Sequence, residues 1–137
     1  MKEYITNSPE TTEAAAKDFA SSLKGNEVIA LYGGLGMGKT TFVRGLCAHF
    51  GIDSGVSSPT FAIVNEYSGD IKIFHFDMYR ISTWDDLYST GFFDYIGQGL
   101  CIIEWSENIE AALPEDTVKI EFQKGENNND RIIKRIS

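Results

Sequence analysis

One stretch of eight residues constrains this chain more than any other. Gly33-Gly34-Leu35-Gly36-Met37-Gly38-Lys39-Thr40 satisfies the phosphate-binding pattern G-x-x-x-x-G-K-[ST]. Before it, Glu27-Val28-Ile29-Ala30-Leu31-Tyr32 is a short apolar run of strand type. After it, Val43, Leu46, Cys47 and Phe50 recur at i, i+3, i+4 and i+7, one face of a helix. Gly51 then stands where a helix C-terminus wants a residue free to take positive φ. Strand, glycine loop and helix are the setting the pattern requires, so a nucleoside triphosphate is the expected ligand.

The loop's physics assigns roles within it. Glycines 33, 34, 36 and 38 let successive backbone N–H groups turn inward around a β-phosphate. The helix that follows offers unsatisfied donors and the positive end of its dipole. Lys39 reaches the β- and γ-phosphates as a point charge, and the Thr40 hydroxyl is a ligand for Mg²⁺.

With 137 residues and 42% hydrophobic content, residues 1–137 are expected to form a single domain around one core. That length leaves little room for a lid or a second nucleotide motif. A net charge of −8 argues against gripping nucleic acid unaided, which needs a basic face. No apolar run is long enough to span a bilayer, and the N-terminus lacks the layout of a signal peptide. Cys47 and Cys101 fall inside core elements and read as buried, reduced thiols, so no membrane association and a cytoplasmic location are expected.

Along the chain, Ser8-Pro9 reads as a helix cap and first-turn proline, with the helix running to about Lys24 and stopping at Gly25. Residues Phe61 to Tyr67 and Ile71 to Phe76 read as a hairpin about Ser68-Gly69-Asp70. Ser82 or Thr83 caps a short helix that stops by Gly91. Leu100 to Ile103 reads as a strand buried on both faces, followed by a brief helix near Glu107 to Ala112. The tail, Val118 to Phe122 and Arg131 to Ile136, reads as a closing hairpin. The predicted fold class is α/β, a three-layer αβα sandwich of P-loop NTPase type with a mixed central sheet.

A P-loop magnesium ion takes a further contact from an acid at a strand end. Glu104 and Asp77 both follow apolar strands and both qualify as metal or catalytic residues. Which of them meets the ion is left open by the sequence. His75 shares a face with Asp77 by alternation and reads as a packing or hydrogen-bonding residue. Asp94-Tyr95-Ile96-Gly97 mimics a GTPase element but lacks a strand before it, and Asn-Lys-x-Asp, which reads guanine, is absent from the sequence. ATP is therefore expected over GTP.

Four ordered motifs resemble the TsaE family, formerly called YjeE, of small bacterial ATPases. They are the loop Gly33 to Thr41, Ser58-Pro59-Thr60-Phe61, the segment His75 to Arg80, and Ile102-Ile103-Glu104-Trp105. Two residues depart from the family pattern: Gly34 where an acid is usual, and Met37 where alanine is usual. The resemblance implies ATP hydrolysis in the making of threonylcarbamoyladenosine in tRNA, at the adenosine beside the anticodon. It implies TsaD and TsaB homologues as partners, with tRNA met only indirectly through that complex, and ATPase activity that is weak alone. It further implies a switch-like role for Thr60, a place for Thr41 in the nucleotide loop, and an adenine pocket near Thr12 and Arg131. A small-molecule kinase and a non-hydrolysing nucleotide-binding module are the alternative readings.

Overall fold

The computed structural model describes residues 3–34, 36–53, 55–57 and 63–137. The elements, in chain order, are β1 (Tyr4–Thr6), α1 (Pro9–Ala20), β2 (Val28–Tyr32), α2 (Lys39–His49), β3 (Val64–Ser68) and β4 (Lys72–Asp77). They continue with α3 (Trp84–Ser89), α4 (Phe92–Tyr95), β5 (Leu100–Glu104), a 3₁₀ helix (Ser106–Ala112), β6 (Val118–Lys124) and β7 (Arg131–Arg135). Among the described residues, seven strands form one sheet in the order β1-β7-β6-β2-β5-β4-β3. The central four, β6, β2, β5 and β4, are parallel; β3, β7 and β1 pair with their neighbours antiparallel. The sheet is mixed, as its hairpins require.

Two apolar clusters sandwich this sheet. On one face α1 and α2 pack Phe19, Phe42 and Leu46 against Ile29, Leu31, Ile102 and Ile120. On the other, α3, α4 and the 3₁₀ helix bring Leu87, Phe92 and Ile109 against Phe74, Phe76, Cys101 and Ile103. Strand β5 is buried at every position, which is why its sequence runs apolar without alternation. The α1–α2 crossing is close: a methyl on Gly45 would lie 2.5 Å from Ala16 Cβ and 2.5 Å from Glu13 O. The α/β three-layer architecture is the one expected.

Local boundaries differ in informative ways. Ser8 caps α1, its hydroxyl accepting from Thr11 N at 3.1 Å, with Pro9 in the first turn. Yet α1 ends at Ala20 rather than near Lys24. Ser21 and Ser22 donate their hydroxyls back to Asp18 O and Phe19 O, offering the backbone an alternative to helix. The Glu27 carboxylate then accepts from the N–H groups of Lys24, Gly25 and Asn26, closing a turn there. In the β3–β4 hairpin the first strand starts at Val64; its expected start at Phe61 lies outside the described residues. The expected tail hairpin is present, β6 pairing antiparallel with β7. Strand β6 lies beside β2 in the middle of the sheet, and β1 covers the outer side of β7.

Candidate nucleotide site

Strands β2, β4 and β5 run parallel, so their C-terminal ends open on one edge of the sheet. In open α/β sheets a crevice beyond the strand ends is where ligands bind. The loop of residues 33–38 leaves β2 there and enters α2 through Gly38, at φ 91°. Gly33 takes φ 136°, and a methyl on it would meet Phe122 O on β6 at 2.8 Å. Only glycine fits a turn that is both left-handed and pressed on a neighbouring strand. Leu35 lies outside the described residues.

A pocket of about 420 Å³ sits over this loop, lined by Gly36, Met37, Gly38, Lys39, Thr40, Thr41, Asp77, Glu104 and Trp105. Lys39 opens α2 and is only 5% exposed. Its ammonium donates to Gly33 O at 2.7 Å and lies 4.8 Å from the centroid of the Trp105 ring. A charge so buried needs such contacts, and the aromatic face supplies one of them. Thr40 donates its hydroxyl to both carboxylate oxygens of Glu104 at 3.3 Å. Register pairs Asp77 with Glu104 across β4 and β5, so the two acids stand side by side at the pocket. Asp77 also accepts from Tyr79 N at 2.9 Å, which ties the chain as it turns away from β4.

His75 sits two residues before Asp77 and is fully buried. Its Nε2 is 2.5 Å from Glu104 Oε2. Trp105 follows Glu104 at φ 59°, the left-handed region, which a bulky side chain enters rarely. Its ring meets that of Tyr79, which is largely exposed, at a tilt of 56° with centroids 4.9 Å apart.

A second hollow of about 190 Å³ adjoins the loop from the other side, lined by Ser8, Pro9, Thr12, Gly36, Gly38, Thr41, Asn129 and Arg131. Thr12 and Arg131, far apart in sequence, meet here beside the phosphate loop. Arg131 donates to Gly36 O at 3.2 Å, while Thr12 is buried and bonded to Thr6 at 2.8 Å. Asn129 was invisible as a lining residue because its Asn-rich turn reads only as a tail loop. Asp94 lies on α4, exposed and apart from both hollows' linings. Thr60 lies outside the described residues, but the approach to it is held: Arg44 donates to Val56 O, and Asn65 and Tyr67 donate to Ser57 O.

The donor set suits a hard divalent cation. Thr40 and Glu104 present oxygens that already converge, and among the described residues no three His, Cys, Asp or Glu side chains are placed to hold a metal ion between them. Magnesium characteristically takes one or two protein oxygens and completes its shell with phosphate and water. The two free thiols, Cys47 and Cys101, are buried on opposite faces of the sheet and take no part. Among the described residues no helix is long and apolar enough to cross a membrane.

Comparison with known proteins identifies the family. The family model for the threonylcarbamoyl adenosine biosynthesis protein TsaE matches residues 6–133. Proteins named as tRNA threonylcarbamoyladenosine biosynthesis protein TsaE are similar across most of the chain. The Bacillus subtilis protein is 40% identical, covering 88% of this chain and 77% of its own. The Aquifex aeolicus protein is 46% identical over 78% of each, and that of Rickettsia typhi 38% identical over 91% and 88%. The crystal structure of Bacillus subtilis YdiB superposes with a TM-score of 0.79 at 35% identity, covering 98% of this chain and 83% of that one.

Proposed function

The chain belongs to the TsaE family, whose work is the biosynthesis of threonylcarbamoyladenosine in tRNA, and we propose that it contributes to that work as an ATPase. The observation that carries the reading is the convergence of Lys39, Thr40 and Glu104 on one pocket over the glycine loop. The loop's backbone N–H groups and the N-terminus of α2 bind the phosphates of ATP, and Lys39 neutralises their charge. Thr40 and Glu104 are the residues that would hold Mg²⁺. That ion, when bound, offsets the negative charge that develops as the γ-phosphoryl group transfers. Asp77, beside Glu104 at the strand ends, would orient the attacking water. Thr12 and Arg131 frame the hollow for the base, with Gly33, Gly34, Leu35, Gly36, Met37, Gly38 and Thr41 around the phosphates.

Hydrolysis alone is expected to be slow. Fast phosphoryl transfer draws on a cation aimed at the γ-phosphate, frequently an arginine supplied by another chain. Among the described residues no arginine lines the 420 Å³ pocket; Arg44 is bonded to Val56 O, and Arg131 holds Gly36 O from the adjoining hollow. The partner that completes the site is the TsaD–TsaB complex, which also makes the tRNA contacts, and Thr60 couples its docking to the phosphate end. The test is ATP turnover by the purified chain, with and without purified TsaD–TsaB homologues. Slow turnover raised by the complex, and a smaller rise for Thr60→Ala at unchanged ATP affinity, is the expected result. Rapid turnover alone, indifferent to the complex, overturns it.

A further inference from the structure

We propose that His75 is the positioning residue for the metal-facing acid: it fixes the orientation of the Glu104 carboxylate toward the cation site. The inference rests on the reading of Glu104 as a magnesium ligand.

Three observations carry it. First, His75 Nε2 and Glu104 Oε2 are 2.5 Å apart, a short contact between two buried side chains, 0% and 7% exposed. On the reading of Glu104 as a metal-binding carboxylate, which only accepts, Nε2 is the donor of this contact. Second, the opposite nitrogen, Nδ1, is buried and has no hydrogen-bond partner among the described residues. A residue chosen for packing would not bury a bare polar atom, which costs stability. The contact with Glu104 is what the imidazole offers that an apolar ring does not. Third, the arrangement is braced. Tyr67 on β3 lies beside the imidazole, ring centroids 6.4 Å apart, and its hydroxyl is tied to Ser57.

The consequence is geometric. Glu104 reaches Thr40 from the end of β5 through a flexible side chain whose last torsion is broad. With Oε2 held by His75, the carboxylate meets the Thr40 hydroxyl in one orientation and keeps it when a cation enters. Outer partners that orient a metal ligand are worth roughly ten- to hundredfold in metal affinity.

ATP binding measured by calorimetry at graded Mg²⁺ concentrations tests this, with Glu104→Gln, His75→Phe and His75→Gln beside the wild type. His75→Phe keeps a ring of similar shape but has no donor. It is expected to need about tenfold or more Mg²⁺ for the same ATP affinity, while affinity without Mg²⁺ and the unfolding temperature hold or rise. His75→Gln restores a donor and recovers part of the loss. A purely structural histidine gives the reverse pattern, lower stability with unchanged Mg²⁺ dependence, and that result overturns the proposal. If Glu104→Gln leaves Mg²⁺ dependence untouched, the reading of Glu104 fails and this inference with it. If Glu104→Gln abolishes the dependence while His75→Phe does not, only the positioning role fails. Long-range proton–nitrogen spectra of the wild-type protein give a readout that needs no variant: a proton on Nε2 and none on Nδ1 is expected, and the opposite tautomer overturns the contact.

Discussion

Lys39 and Glu104 are charged side chains in a largely buried setting, and each is tolerated for a stated reason. Lys39 has the Gly33 carbonyl and the Trp105 ring; Glu104 has Thr40 and His75. Removing the ammonium should therefore cost ligand binding far more than it costs the fold. Lys39→Ala is expected to lower ATP affinity about a hundredfold, the upper end for a lost charge-assisted contact, and calorimetry checks it. The two acids should separate in the same measurement. Glu104→Gln keeps shape but loses charge at the Thr40 contact, so Mg²⁺-dependent affinity falls about tenfold or more; Asp77→Asn keeps that affinity and loses turnover. Wild-type turnover in both variants would refute both assignments.

Between elements, the crossing of α1 over α2 is what sets the loop against its second hollow. Thr12 on α1 lies 4.0 Å from where a methyl on Gly38 would stand, so a displaced α1 moves one wall of that hollow. Gly45 is the residue that permits the approach. Gly45→Ala forces a methyl into Ala16 and the Glu13 carbonyl and is expected to destabilise by about 1–3 kcal/mol, read from denaturant midpoints. Nucleotide affinity should fall with it, because the wall moves along with the helix. On the opposite side, the left-handed Trp105 turns the chain sharply out of β5 into the 3₁₀ helix. That turn sets its half-buried ring against Lys39 on one side and the apolar cluster below on the other.

For the molecule as a whole, charge is partitioned along the chain. Residues 81–118 hold eight of the twenty Asp and Glu residues and none of the twelve Lys and Arg, so the entire net charge of −8 resides there. Such a field repels a polyanion, and the isolated chain is expected not to retain tRNA in filter binding even at low salt. Burial pushes both thiols up, Cys47 and Cys101 to about 12 from the usual 9. Unfolded thiols ionise first as pH rises, so the stability that the protonated thiols confer is present below pH 9 and is lost progressively between about 9 and 12. Chemical denaturation in that window should show a falling midpoint, with a shallower fall in a Cys47→Ala, Cys101→Ala double variant. At neutral pH neither thiol should react with an alkylating reagent until the protein unfolds.

The phosphate loop, the strand before it, the helix after it and the buried β5 were legible in the sequence because each rests on local rules: glycine freedom, helical period, and an apolar run between two covered faces. Glu104 and Asp77 were legible as strand-end acids for the same reason. The contact between Thr40 and Glu104, on which the proposed division of labour rests, was not, since it joins two different elements at 3.3 Å. His75 read as a residue for packing or a hydrogen bond because its period places it inside, while its partner lies 29 residues away on another strand. The early end of α1 was hidden by serines that compete for the backbone only once the turn has formed. Strand order was beyond local reading altogether. A hairpin is signalled by its own turn, but whether β6 lies at an edge or beside β2 depends on which apolar face it buries, and that is decided when the two sides of the sheet are covered.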